Sequence, residues 1–251
     1  MLKPRIIPFL LIQNNGLIKT VQFKSEKYVG DPINAVRIFN EKKADEIIII
    51  DKDPTLKNTD PNFRLISNLA EECQMPMTYG GGIKSVDQAE KIFTLGVEKI
   101  SLSSGYFSNK NLVNKLVDLV GSQSIAITLD VKKSFLGKYE IFTHGGKIKV
   151  KEKLENVIKD IQMRGAGEII INNISKDGMM NGYDISLLEL VKPLIKVPLT
   201  FLGGASNVDD FRTIISKHPI IGLSAGSFFV FKGKLKAVLI SYPKENILDF
   251  E

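Results

Sequence analysis

Two stretches of this chain repeat each other at a fixed distance. Met75-Pro76-Met77-Thr78-Tyr79-Gly80-Gly81-Gly82 is echoed 122 residues later by Val197-Pro198-Leu199-Thr200-Phe201-Leu202-Gly203-Gly204. Val86-Asp87 and Val208-Asp209 keep that offset, as do Ala44-Asp45-Glu46-Ile47 and Ala166-Gly167-Glu168-Ile169. Leu102-Ser103-Ser104-Gly105 returns as Leu223-Ser224-Ala225-Gly226 with one residue lost. A repeat this long makes each half of the 251-residue chain one copy of the same supersecondary unit, and the fold must join two of them.

The units are legible from hydrophobic pattern. Short apolar runs predict strands near Ile6–Leu11, Glu46–Ile50, Met77–Tyr79, Lys99–Ser103, Ser124–Leu129, Glu168–Asn172, Leu199–Leu202 and Ile220–Ser224. Runs such as Ile47–Ile50 are apolar throughout, as parallel strands covered on both faces require. Most intervening segments carry helical spacing, for example Asp31–Lys43, Asn109–Val120 and Asn207–Lys217. Eight alternating strands and helices suit a (β/α)8 TIM barrel, and a doubly wound open sheet is the alternative from periodicity alone. The internal repeat favours the closed barrel, with half-barrels at roughly 1–121 and 122–251. No Pro/Gly/Ser linker separates them, so one domain over 1–251 is expected.

Composition narrows the function classes. Cys73 is the single cysteine, which excludes a disulfide-stapled secreted domain and makes a reducing cytoplasm the expected location. His144 and His218 are distant in sequence and have no Cys neighbours, so no metal or cofactor is expected. The apolar N-terminal run is short and broken by Pro8, and no stretch approaches a bilayer span of about 20 residues. The net charge of +6 is spread among Asp and Glu and reads as a solvated surface, with no nucleic-acid or membrane partner expected.

Three constellations remain. Gly82 with Ser103 and Ser104 follows strands three and four, while Gly203 and Gly204 with Ala225, Gly226 and Ser227 follow strands seven and eight. Such turns let backbone approach an anion, and the repeat suggests two opposed phosphate seats, suited to a ligand with a phosphate at each end; the alternative is that these glycines only make tight βα turns. Asp130 ends the fifth strand, where barrel side chains face the active mouth; Asp51 and Asp177 hold similar places. For all three, an N-cap or loop role stays open. Arg5, Glu46, Lys99 and Glu168 start four strands; counting by two gives Ile7, Phe9 and Leu11 from Arg5 and Ile170 and Asn172 from Glu168, and if these faces turn inward the four charges ring the barrel bottom. A paired ring there is either a structural plug or a polar gate to an axial passage.

The chain resembles a known family, the cyclase (synthase) subunit of imidazole glycerol phosphate synthase. The resemblance is carried by Arg5-Ile6-Ile7-Pro8, Gly30-Asp31-Pro32, Thr78–Ile83, Lys99-Ile100-Ser101, Gly121-Ser122-Gln123, Arg164–Ile169, Asp177–Asp184 and Gly203-Gly204-Ala205, nearly end to end. It implies a (β/α)8 barrel that takes ammonia from a separate glutaminase docked at its N-terminal face and sends it up the axis to a bisphosphorylated substrate. It also implies Asp177 in or around the second phosphate seat, Arg5, Glu46, Lys99 and Glu168 as the ammonia gate, Lys19 on a substrate-covering loop, and Glu98 and Gln123 at the glutaminase contact.

The departures are as informative. The family's cyclase uses two aspartates, ending strands one and five. Asp130 keeps the second, but Leu11 stands at the first. Within this chain alone, Leu11 is the half-barrel counterpart of Asp130. Leucine exchanges no proton, and loss of one acid–base partner is worth about 10²–10⁴-fold in rate. Asn14-Asn15-Gly16, Asn172, Asn173 and Ser175 also depart from the usual pattern. The expectation is a diverged subunit that still pairs with a glutaminase and serves sugar amidation in surface-sugar biosynthesis with a third protein. A working cyclase, a non-catalytic phosphometabolite-binding scaffold and the related isomerase are the alternatives.

Overall fold

The computed structural model describes residues 3–233 and 235–248. Eight parallel strands close on themselves: β1 (Arg5–Gln13), β2 (Ile47–Asp51), β3 (Met77–Gly80), β4 (Lys99–Leu102), β5 (Ile125–Lys133), β6 (Glu168–Asn173), β7 (Leu199–Leu202) and β8 (Gly222–Ala225). Each pairs with the next, and β8 pairs with β1 through Arg5↔Gly222, which shuts the barrel. This is the (β/α)8 architecture expected from the repeat; an open doubly wound sheet is excluded by the closing pair.

The covering helices arise from amphipathic segments with clear start signals. Asp31, Asn62, Ser85, Asp184 and Asn207 each accept a backbone N–H at the head of their helix, and Asn207 with Asp210 forms a full capping box. Ile66, Leu69, Ile92, Leu116, Ile161 and Phe211 turn inward and bury completely against the outer faces of the strands. Each full burial of this kind contributes about 1.5–3 kcal/mol.

Inside the barrel, side chains stack in layers. Arg5, Ile7, Phe9 and Leu11 alternate up β1. Ile7, Ile48, Ala126 and Ile170 form a small buried cluster of their own, with Phe9 and Ile50 packed on it. Charge lies below this apolar layer and the mouth above it.

Two antiparallel ribbons at the mouth are not among the strands expected from the sequence, and the first takes the place of the loop implied to carry Lys19. After β1 the chain makes an antiparallel ribbon of Gly16–Val21 and Lys24–Gly30, and after β5 a second ribbon in which Asp130 pairs with Phe142. Short helices also follow β2, β4 and β8 at Asp53–Lys57, Ser104–Ser108 and Ser227–Val230. The last barrel strand starts at Gly222 rather than at the expected Ile220, which is exposed on the lower rim.

Candidate active site at the barrel mouth

The mouth holds two adjoining cavities. The larger, about 930 Å³ and open to solvent, is lined by Gly82, Ser103, Ser104, Asp51, Asp130 and Asn172 among others. The smaller, about 410 Å³, is lined by Gly203, Gly204, Ala225, Gly226, Ser227 and Lys19. Phe9, Leu11, Thr20 and Asp177 border both and form the wall between them. The glycine and serine residues of each half-barrel therefore meet around their own cavity, on opposite sides of one axis.

Close packing of neighbouring loops demands glycine at these turns. A Cβ on Gly82, at φ +68°, would stand 2.3 Å from the Pro54 Cβ, and one on Gly204, at φ +111°, 2.2 Å from the Gly182 carbonyl. The Gly82 N–H already donates to Thr55 Oγ1 at 3.1 Å. At Gly82 the tight turn is thus a packing requirement, with Ser103 and Ser104 beside it in the larger cavity.

Asp130 lies half-buried at the mouth end of β5. Its Oδ1 accepts from Asn172 Nδ2 at 2.9 Å, across the β5–β6 register pair. Burial pushes the carboxyl up to about 7, against the Asn172 bond and with help from nearby Asp177. Asn172 Oδ1 is buried with no hydrogen-bond partner among the described residues, an acceptor open to an N–H donor in the cavity. Asp51 is buried and accepts from the Asp53 N–H at 3.0 Å, so it works as a turn residue while lining the same cavity; burial raises it to about 6.

Leu11 faces this mouth. It borders both cavities from β1, so the position that mirrors Asp130 carries an aliphatic surface. Asp177 comes nearest to standing in for it, but its Oδ2 accepts from Thr20 Oγ1 at 2.6 Å and from the Phe23 N–H at 3.3 Å. Burial raises its pKa as well. The carboxylate expected beside the second phosphate seat thus fastens the ribbon that follows β1. That ribbon also brings Lys19 inward. Its Nζ is buried and donates to the Phe9 carbonyl at 2.5 Å, and burial lowers its pKa to about 8. A Cβ on Gly226 would stand 2.6 Å from this nitrogen, so glycine leaves the room that the ammonium occupies.

At the other end of the axis the four charges close a ring. Arg5 reaches Glu46 at 2.5 Å and Glu168 at 2.8 Å; Lys99 reaches Glu168 at 2.5 Å and Glu46 at 3.3 Å. Thr200 donates to Glu168 at 2.5 Å. The glutamate side chains are 8% and 3% exposed, Arg5 31% and Lys99 19%. Above the ring, Ser101 and Thr128 share a 2.6 Å hydrogen bond on the inner wall. Of the two residues at the expected partner contact, Glu98 accepts the Met77 N–H at 2.9 Å and Gln123 donates to Val120 O at 3.2 Å.

Sequence reasoning missed Thr20, Phe23, Thr55 and His144, all of which line the larger cavity. The only signal for the first two was the Asn14-Asn15-Gly16 turn preceding them; Thr55 and His144 carried none.

The histidine biosynthesis protein family model matches residues 5–236. A Leptospira borgpetersenii protein provisionally named imidazole glycerol phosphate synthase subunit HisF is 50% identical over 97% of this chain and 96% of its own length. One from Vibrio vulnificus (strain YJ016), provisionally named subunit hisF3 of that synthase, is 51% identical over 98% and 95%. The Natranaerobius thermophilus imidazole glycerol phosphate synthase subunit HisF, named without reservation, is 32% identical over 92% of each chain. With the barrel, its doubled mouth and these relatives together, the chain belongs to the histidine biosynthesis protein family, on its HisF side.

Proposed function

We propose that this protein accepts ammonia from a partner glutaminase at the lower end of the barrel and passes it up the axis. At the mouth the nitrogen serves a sugar amidation step of surface-sugar biosynthesis, completed by a third protein. One observation carries the reading: the charged ring below is complete while Leu11 occupies the mouth position that mirrors Asp130. Selection for ring closure would need both carboxylates; selection for conduction needs the ring and the passage alone.

Other features support it. Exposed Leu119, Met163, Leu194 and Ile220 gather at the loops that precede β5 to β8, on the face where a glutaminase would sit. Ser101 and Thr128 offer hydroxyls above the ring, and the orphaned Asn172 Oδ1 beside Asp130 offers an acceptor where ammonia would emerge. The turns at Gly82, Ser103 and Ser104 and at Gly203, Gly204, Ala225, Gly226 and Ser227 suit a phosphorylated ligand.

The test is to mix the chain with its glutaminase and follow glutamine hydrolysis. Complex formation and stimulation are expected, with Lys99→Met altering the stimulation; no complex and no stimulation would reject the proposal. A second reading, a working imidazole glycerol phosphate cyclase, is favoured by Asp51 and Asp177 lining the cavity with Asp130. Turnover of the bisphosphorylated ribonucleotide with ammonium salts, abolished in Asp130→Asn, would establish it.

A further inference from the structure

The chain's net charge of +6 is not evenly spread. Residues 132–153, the ribbon after β5 and its return, contain seven Lys and two Glu, a net +5. Both glutamates are taken: Glu140 by Lys149 at 2.7 Å and Glu152 by Lys110 at 2.7 Å. Lys132, Lys133, Lys138, Lys147, Lys151 and Lys153 are exposed and have no carboxylate partner among the described residues. Elsewhere Lys and Arg are dispersed among Asp and Glu as the sequence predicts, so most of the net excess sits on this one projection.

Its tip is apolar. Phe135 is fully exposed and Leu136 is 82% exposed, at the turn between the two ribbon strands. At about 3.3 Å per residue the turn stands about 13 Å beyond Asp130, clear of the mouth. On the opposite rim, above β1 and β8, Tyr28 and Leu235 are also largely exposed, and Lys27 Nζ donates to the Lys236 carbonyl, tying the Lys24–Gly30 strand to the hairpin that pairs Phe231–Lys232 with Ala237–Val238. Because β1 and β5 are diametrically opposed in the closed order, the exposed apolar side chains bracket the mouth.

We propose that this rim docks an acidic protein that caps the mouth, with Phe135 and Leu136 as the anchor and the surrounding lysines as the electrostatic guide. The inference rests on the ammonia-transfer reading, since nitrogen released at an open mouth would be protonated and lost to water. A protein cap suits the geometry better than a lipid surface. A membrane across both rims would shut the larger cavity from any water-soluble acceptor, whereas a protein can bring its own acceptor site to it. Charge complementarity of this kind speeds encounter and fixes orientation, and a buried aromatic anchor supplies affinity.

The test begins with a photo-crosslinking phenylalanine analogue at position 135, in cells that also make the glutaminase, with position 159 on the outer helix Leu154–Met163 as the control. The protein crosslinked from 135 and not from 159 is purified, and its affinity for the chain–glutaminase pair is measured. The expected result is an acid-rich protein whose binding weakens about tenfold or more, each about 1.4 kcal/mol, in Phe135→Ser/Leu136→Ser and in Lys132→Glu/Lys133→Glu. Equal binding by all forms, or no protein crosslink at 135, overturns the proposal. So does flotation with phosphatidylglycerol–phosphatidylcholine vesicles that depends on Phe135. Glutamine hydrolysis is followed in the same samples and is expected to be stimulated equally by wild type and rim variants. Absent stimulation by wild type would remove the ammonia-transfer reading, while rim binding is scored separately by affinity.

Discussion

Replacing Glu168 by Gln removes one corner of the charged ring without changing its shape. Glu168 is 3% exposed and accepts from Arg5 at 2.8 Å, Lys99 at 2.5 Å and Thr200 at 2.5 Å. Burial pushes its pKa up, but Lys99 and Arg5 outweigh that and hold it below the usual range. The neutral amide leaves two cations sharing Glu46 alone. Breaking a buried pair from one side costs about 3–5 kcal/mol. Arg5 and Lys99 keep partial exposure and recover some hydration, so the lower end, about 3 kcal/mol, applies. For a chain of this size that is a fall of about 6–12 °C in Tm. The pH dependence gives a second handle. A carboxylate with a depressed folded pKa stabilises above its unfolded pKa and loses that stabilisation as pH falls through the folded value. The difference between wild type and variant should therefore shrink below the ordinary glutamate value of 4.5. Denaturant unfolding at neutral and acid pH measures both effects. A loss no larger than that of exposed Glu155→Gln, or one that does not change with pH, would refute the ring as a coupled buried network.

Three further outcomes follow from the mouth. Asp130 has a raised folded pKa, so in wild type its contribution is full below the unfolded value, 3.8, and lost as pH rises through about 7. Asp130→Asn should thus be more stable than wild type above pH 7, by about 1–4 kcal/mol, with the gain fading towards acid pH in denaturant titrations. Gly204→Ala forces a Cβ against the Gly182 carbonyl at positive φ and should cost about 1–3 kcal/mol by thermal unfolding. Asp177→Ala removes the acceptor for Thr20 and the Phe23 N–H; a loss of about 1.5–3 kcal/mol locally should speed hydrogen exchange of that ribbon about tenfold or more, with the barrel strands unaffected.

The barrel was legible because its strands are local and strongly patterned. The Ile47–Ile50 run and the repeated Thr78 and Thr200 segments place the strands, and the 122-residue offset closes them. Counting by two from Arg5 puts Arg5, Ile7, Phe9 and Leu11 on one strand face, because alternation is strict in a strand; the closed barrel is what turns that face inward. The mouth ribbons escaped notice for the opposite reason. Lys24–Gly30 has little apolar alternation and is mostly exposed, so contacts distant in sequence, such as Thr20 with Asp177, hold it in place. Asp177 lines both cavities and also fastens the ribbon, and the second role was hidden because Thr20 and Phe23 are more than 150 residues away in sequence. The basic projection was hidden by averaging charge over the whole chain.

The proposed function has nitrogen pass through this barrel without ring closure at its mouth. Its most direct test supplies the chain and its glutaminase with glutamine carrying an isotope-labelled amide nitrogen, together with the bisphosphorylated ribonucleotide of the histidine pathway. Faster glutamine hydrolysis than with glutaminase alone, with the label leaving as ammonium and none in an imidazole ring, is the result expected of Leu11 facing Asp130. Label incorporated into the imidazole product at every turnover would contradict it.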